Sequence, residues 1–515
     1  MNRLNTLFIL IIILATIAAY ANSLHNQFVW DDEDWILKNS TIKNPQEWSK
    51  LFTENSIQGA RKGSNFYRPL QAITHGVDYL LWGYRLPGHH ATNIAFHALA
   101  AIVLFLLLGR VFSQNMAFLA ALFFAIHPVH TEAVTYVSGR ADPMAVLFML
   151  LTVLLFEKNI FLACGAFILG ILSKESALIA PLLICVYLAA RDKKIDYKKF
   201  TPFIFIIIVY AALRLTILNF TGTIPENAPK AFFYVPFYIR LSTFLKTLPV
   251  YFKVLLWPFG LHMERDIALS YSVFEPQSFL GLLTTGSLFF FGFRFRKSHK
   301  FLLFSAAWFF ICIFPNSNLF PINALLYEHW LYLPSIGFFV IVAWAINRLL
   351  GKRQLKFIAV LLALCLAGFY TWRTFERNKD WHDPISFYES TIMYKPDSAR
   401  LHNNLAMAYA DAGRNDDAIR EYKKAIESGD YYAQPHYNIS NIYLNRGDYA
   451  SAVKELKISI EIDNNFLYSH ESLALIYFNQ NNFEQAKKEA LFIIEREPQN
   501  KIAREILSKI PYLTK

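Results

Sequence analysis

Long apolar stretches alternate with short polar breaks over roughly the first three-quarters of the chain. The runs Leu7–Tyr20, Ala91–Leu108, Phe203–Ala212 and Ile336–Ile346 carry almost no charge. Stretches of this kind predict membrane helices. Spans are expected near 4–22, 91–111, 115–130, 142–156, 159–173, 176–190, 200–220, 277–293, 300–314, 331–350 and 355–373, eleven in all. Segment 241–259 is apolar but broken by Lys246, Pro249, Lys253 and Pro258, and reads as an interfacial or re-entrant helix. A polar loop, 25–89, follows the first span. The apolar start resembles a signal peptide with a cleavage site after Ala19-Tyr20-Ala21, but an uncleaved span is preferred, because the acidic stretch behind it needs an anchor.

From residue 376 the pattern becomes charged and amphipathic, so the expected domains are 1–375 and 376–515. The second part repeats itself every 34 residues: His402, His436 and His470; Tyr409, Tyr443 and Tyr477; Ala418, Ala452 and Ala486. Leu405, Ile439 and Leu473 fill another register, and Asn481 stands third after Gly413 and Gly447. This period marks tetratricopeptide repeats, two antiparallel helices each. Repeats are expected near 398–431, 432–465 and 466–499, with a preceding half repeat at Pro384–Tyr394 and a capping helix near 500–510. One histidine per repeat reads as packing or groove lining rather than a ligand.

Composition sharpens this picture. The 515 residues are 55% hydrophobic and 17% charged, too apolar for an ordinary soluble protein. The net charge of +11 gathers in three clusters between apolar runs: Arg191–Lys199, Arg294–Lys300 and Arg348–Lys356. Their placement marks cytoplasmic loops rather than a nucleic-acid footprint. Reading 241–259 as non-crossing puts all three clusters inside, and puts loop 25–89 and the repeats outside. Cys164, Cys185, Cys312 and Cys365 all lie in apolar runs without a pairing pattern.

Candidate chemistry falls on the outer side. Asp31 and Asp32, in Phe28-Val29-Trp30-Asp31-Asp32, are neighbours and point in different directions, so one suits catalysis and the other structure. The same acids equally mark the water edge of the first span. His127-Pro128-Val129-His130-Thr131-Glu132 lacks the spacing of a zinc-protease helix, so no metal is assigned. Arg140, before Asp142, is a fixed cation able to grip a phosphate. Lys174 either pairs with Glu175 or holds a phosphate. Arg68 in Tyr67-Arg68-Pro69-Leu70, the segment Phe314–Leu319, and Glu328-His329 in Tyr327–Ser335 complete the set. P-loop, GxGxxG and GxSxG motifs are lacking. Charges at span edges rather than mid-span argue against a transporter.

Taken in order, Asp31-Asp32, YRPL, HPVHTEAV with GRAD, SKE, FPNSNL and EHWLYLPSIG, followed by the repeats, resemble the TMTC family and its bacterial relatives. These are similar to GT-C protein O-mannosyltransferases. The resemblance implies an all-α, GT-C-like bundle of about eleven spans followed by a tetratricopeptide α-solenoid. It implies inverting transfer of a sugar, mannose by precedent, from a polyprenyl-phosphate carrier to Ser or Thr of an extracytoplasmic protein. Asp31 then matches the family's catalytic aspartate, with Asp32 standing where the family has Glu. Arg140 is the phosphate clamp, aided by Lys174 and Arg68, while His127, His130, Glu132, Asp142, Glu175, Glu328 and His329 serve sugar, phosphate or the cations. No cofactor is required, and a divalent cation stays open. The expected partners are the lipid-linked donor, membrane lipid and a peptide acceptor held by the repeats. Short loops lean towards a bacterial inner membrane with a periplasmic active face. A repeat scaffold without catalysis, and a transferase acting on lipid or glycan, are the competing readings.

Overall fold

The computed structural model describes residues 3–221, 235–265, 267–322, 324–429 and 433–513, with side chains through 510. Among these residues the chain is helical throughout, without a strand. It divides into two compact units, Met1–Asp383 and Pro384–Lys515. The division lies beyond the expected residue 376 because helix Lys356–Lys379 continues through its charged end. Asn378 and Trp381 are buried in the first unit.

Each expected span falls on a helix, but the helices differ in reach. Four are long and apolar enough to cross a membrane: Arg3–His25, Leu86–Leu108, Val137–Leu155 and Arg353–Lys379. The pair Gln114–Ile126 and Pro128–Val134 reaches the same length and apolarity only when taken together, and is bent by 51° where Pro128 interrupts the backbone. Ile160–Ser173, Glu175–Ala190, Lys300–Asn316 and Ser335–Leu350 are apolar but short. At 1.5 Å per residue they reach about 21–26 Å, less than the roughly 30 Å of a hydrocarbon core. Helix Phe237–Leu256 contains Pro249 and the cations Lys246 and Lys253, and does not qualify as a span.

The helices pack around a continuous apolar core running from Ile12 through Leu104, Phe123, Leu150, Phe167, Tyr187, Trp308 and Phe339. Two helices orient the unit. Lys300–Ile313 begins in a basic cluster and leads to Asn316; Ser335–Leu350 begins next to Pro334 and ends at Arg348 and Lys352. Asn316 and Pro334 line one cleft. The basic clusters and that cleft therefore occupy opposite ends of the same helices.

In the second unit the helix pairs are Ala399–Asp411 with Asn415–Glu427, Gln434–Asn445 with Tyr449–Ile462, and Leu467–Asn479 with Phe483–Arg496. Pro384–Ile392 precedes them and Lys501–Leu513 follows. The expected junction of the first two repeats, 431–432, lies outside the described residues. Ala418, Ala452 and Ala486 have no exposed surface, so the paired helices approach closely. Gly413, Gly447 and Asn481 all have φ between 60° and 77°, the left-handed conformation that ends each first helix. Asparagine is the non-glycine residue that tolerates this best, which explains its third place.

The repeated histidines have a structural partner. His402, His436 and His470 each contact a glutamate 19 residues on, Glu421, Glu455 and Glu489, at 2.6 Å in every repeat. Each pair ties the first helix of a repeat to its second. Replacing one glutamate, as in Glu455→Gln, is expected to cost the repeat unit about 1 kcal/mol. Thermal unfolding of the full chain should show the corresponding transition falling by about 3 °C.

Candidate functional site

The site begins where the first helix leaves the apolar core. Asn378 donates to the Ala19 carbonyl at 2.8 Å and to Asn22 Oδ1 at 2.7 Å. Asn26 donates back to the Asn378 carbonyl at 2.9 Å. The first and last long helices are thus stitched together immediately before the acidic turn. That turn is tight: Trp30 has φ of 52°, and the amides of Glu33 and Trp35 donate to the Trp30 and Asp31 carbonyls. A bulky residue takes this conformation only when its surroundings hold it. Trp30 stacks on Tyr136 at 5.8 Å, and Tyr136 stacks on Trp381 at 5.4 Å.

The two aspartates have different environments. Asp32 is wholly buried; its Oδ1 accepts from the Ser138 amide at 2.7 Å and the Ser138 hydroxyl at 2.5 Å, and its Oδ2 from the Val29 amide at 3.1 Å. Asp31 is half-buried. Burial pushes the Asp32 carboxyl up to about 7, against the lowering effect of its Ser138 and Val29 hydrogen bonds. The folded state therefore binds the Asp32 proton more tightly than the unfolded chain. Stability from this group is fully present below the unfolded pKa and is lost as pH rises through about 7. Between roughly pH 4 and 7, wild type should gain thermal stability as pH falls, relative to Asp32→Asn, which has nothing to titrate.

Ser138 links this turn to the next layer. Its carbonyl accepts from Gln71 at 2.8 Å, on helix Pro69–Trp82. Gly139 passes so close to the Glu132 carbonyl that a Cβ would lie 2.6 Å from it, so only glycine fits. Arg140 then turns inward. It is fully buried, ion-paired with Asp78, donating to Asn93 Oδ1 at 2.6 Å and to the His89 carbonyl at 3.0 Å. Asn93 in turn donates to the carbonyls of Val134, Tyr136 and Val137, bracing the segment that carries the Ser138 turn. The expected phosphate clamp is corrected here: the Arg140 guanidinium has no surface to offer, because Asp78 draws it into the bundle.

Three other predicted residues are also interior. His127 accepts from the Val129 amide on Nδ1, with Nε2 against the Leu255 carbonyl at 3.2 Å. His130 is enclosed by Phe124 and Tyr332. Glu328 is held by Arg265 at 2.6 Å and accepts from the His262 amide at 2.7 Å, with Arg377 at 3.7 Å. Burial raises the Glu328 carboxyl despite these cations, Arg377 foremost. None of the three presents itself for a sugar or phosphate.

The remaining residues converge. Asp142 pairs with Lys174 at 2.7 Å, Glu175 with Arg68 at 3.2 Å, and Glu132 accepts from His329, at 2.9 Å from its amide and 2.7 Å from its ring Nδ1. Lys174 therefore does not pair with its neighbour Glu175. Its backbone is extended, φ −160° and ψ 138°, which sends adjacent side chains to opposite sides. Asp142 and His329 line a narrow cleft of about 20 Å³ with Ser176, Asn316, Trp330 and Pro334. Four motifs far apart in sequence, GRAD, SKE, FPNSNL and EHWLYLP, thus share one opening. Arg68 stands at the start of the helix that carries Gln71, bonded to Ser138, which holds Asp32. Two of the pairs, Asp142–Lys174 and Glu132–His329, present one member each to the cleft, where a polar ligand can exchange such contacts for its own.

Asp78 and Asn93 stand outside the expected set, and Ser138 enters it as the partner of Asp32. Asp78 and Asn93 are polar residues on or beside apolar helices, and intramembrane polar residues signal a partner. Glu421, Glu455 and Glu489 also went unread, although they repeat at the same interval of 34 as the histidines.

A tetratricopeptide-repeat model matches residues 388–433 and 403–464. Protein O-mannosyl-transferase F38B6.6 of Caenorhabditis elegans is 29% identical over 83% of this chain and 63% of its own length. Protein O-mannosyl-transferase TMTC3 of Homo sapiens is 26% identical over 82% of this chain and 52% of its own. Human TMTC1, of the same designation, is 26% identical over 80% and 54%. The chain thus spans between about half and two-thirds of the length of these relatives. Over about four-fifths of its length the chain is TMTC-like, and its C-terminal part carries tetratricopeptide repeats.

Proposed function

We propose that the chain is a GT-C-type glycosyltransferase that moves a sugar, mannose on the precedent of its relatives' names, from a polyprenyl-phosphate carrier to Ser or Thr hydroxyls of protein. The observation that carries this reading is the cleft where Asp142–Lys174 and Glu132–His329 meet, beside Arg68–Glu175 and opposite the basic loops. In the proposed reaction Asp31 accepts the proton of the acceptor hydroxyl as its oxygen attacks the anomeric carbon. The carrier phosphate leaves with the bonding electron pair, and Lys174 and Arg68 stabilise the charge it gains. One displacement of this kind inverts the anomeric centre. Asp32 and Arg140 touch neither reactant; they position the Asp31 turn and the Ser138 segment.

The topology is part of the proposal. All eleven helices matched to spans cross the membrane, Phe237–Leu256 lies at its surface, and the cleft and repeats face the extracytoplasmic side. The short loops suit a bacterial inner membrane, in which that side is the periplasm. The repeats capture the polypeptide acceptor.

The acceptor class is tested by supplying membranes with labelled polyprenyl-phosphate mannose and separating protein, lipid and glycan. Label on protein that alkaline β-elimination releases supports the proposal. Label confined to lipid or glycan overturns the protein acceptor, and donor left unconsumed favours a scaffold.

A further inference from the structure

The end of the membrane unit opposite the cleft gathers charges that the proposed reaction does not use. The segments 191–199, 294–300 and 348–356 hold five, four and four basic residues against two acids, Asp192 and Asp196. The fold brings these segments together. Lys300 pairs with Asp192, joining the first two. The His299 ring lies 5.9 Å from Trp344, and Phe301 stacks on Trp344 at 4.3 Å, joining the second to the third. Both acids are occupied locally, since Asp196 caps the Lys198 amide at 3.2 Å. Glu157, the neighbouring acid, is taken by Arg191 and Lys193. Lys194, Lys198, Lys199, Arg294, Arg296, Lys297, Arg348, Lys352, Arg353 and Lys356 are all exposed.

Large apolar side chains stand among these cations with their surfaces bare: Tyr197, Phe293, Phe295 and Phe357. Cations at helix ends beside exposed aromatics suit the boundary between lipid tails and headgroups, where aromatic rings and snorkelling cations settle together. Soluble polyanions match the charge but leave the aromatics uncovered. A shallow cleft at the third cluster is lined by Trp344, Asn347, Arg348, Gly351 and Lys352. It offers two cations, an amide and an indole.

We infer that this face binds anionic phospholipid of the leaflet opposite the catalytic cleft, with one headgroup phosphate seated between Arg348 and Lys352. Because attraction to an anionic lipid surface amounts to a roughly fivefold gain per basic residue, removing two should weaken the site about 25-fold. The test uses the purified full chain in neutral detergent, titrated with phosphatidylglycerol or phosphatidylcholine, and counts retained lipid by native mass spectrometry. Wild type should retain phosphatidylglycerol preferentially, and Arg348→Gln/Lys352→Gln should lose the tightest-bound molecule. Its unfolding midpoint without lipid should equal that of wild type, since both side chains are exposed. Equal retention of the two lipids by wild type, or undiminished phosphatidylglycerol retention by the double variant, would overturn the inference.

Discussion

Asp31→Asn should reduce sugar transfer by about 10²- to 10⁴-fold, the usual contribution of a positioned general base. Asparagine keeps the shape of the side chain but cannot take a proton. The turn around it should persist, because the hydrogen bonds of Asp32 to Ser138 and Val29 are left in place by the substitution. Detergent-purified Asp31→Asn should therefore stay folded and lose less stability than Asp32→Ala, whose side chain is wholly buried. Asp32→Ala should behave in the opposite way. It strips partners from the buried amides of Val29 and Ser138, at about 1–3 kcal/mol each, so protein stability falls together with activity. The contrast between neighbours separates a residue that reacts from one that holds it.

Arg140→Met should be among the most destabilising single changes in the membrane unit. The substitution leaves Asp78 as an uncompensated buried charge, and breaking such a pair costs about 3–5 kcal/mol. It also removes the donor to Asn93, whose amide braces three carbonyls beside the Ser138 turn. The expected result is a low yield of monodisperse protein and a much lower unfolding midpoint. Removing both charges, in Arg140→Met/Asp78→Leu, should recover most of the stability, because an apolar pair replaces the ionic one. A direct phosphate clamp behaves otherwise: Arg140→Met then folds like wild type and loses only donor binding.

The sequence was most legible where a physical period enforced it. Solenoid stacking requires the same residue type at the same place in each unit, so Ala418, Ala452 and Ala486 announced the helix pairs. The left-handed turn at Gly413 and Gly447 even identified Asn481 as its third instance. Helix positions in the membrane unit were legible through their apolar runs, whereas crossing was harder to read. Helices as short as Ile160–Ser173 reach membrane depth only with neighbours beside them, which the linear pattern does not display.

Within the site, residue types were legible and pairings were not. Lys174 adjoins Glu175 in sequence, yet an extended backbone at that point separates them and delivers Lys174 to Asp142, 32 positions away. Arg140 reads as an outward cation because it follows a short polar stretch. Its partner Asp78 is 62 positions upstream, and only the packing of helices Pro69–Trp82 and Leu86–Leu108 reveals that the guanidinium is enclosed. The different fates of Asp31 and Asp32 were readable in outline, since adjacent side chains diverge. Which one would be buried depended on Ser138, 106 residues away.

The most direct test of the catalytic account is transfer of label from polyprenyl-phosphate mannose in membranes carrying wild type or Asp31→Asn at matched protein levels. Labelled protein should appear with wild type and fall by at least about 10²-fold with Asp31→Asn, while both proteins remain folded. Full transfer by Asp31→Asn would contradict the assignment of Asp31 as the base.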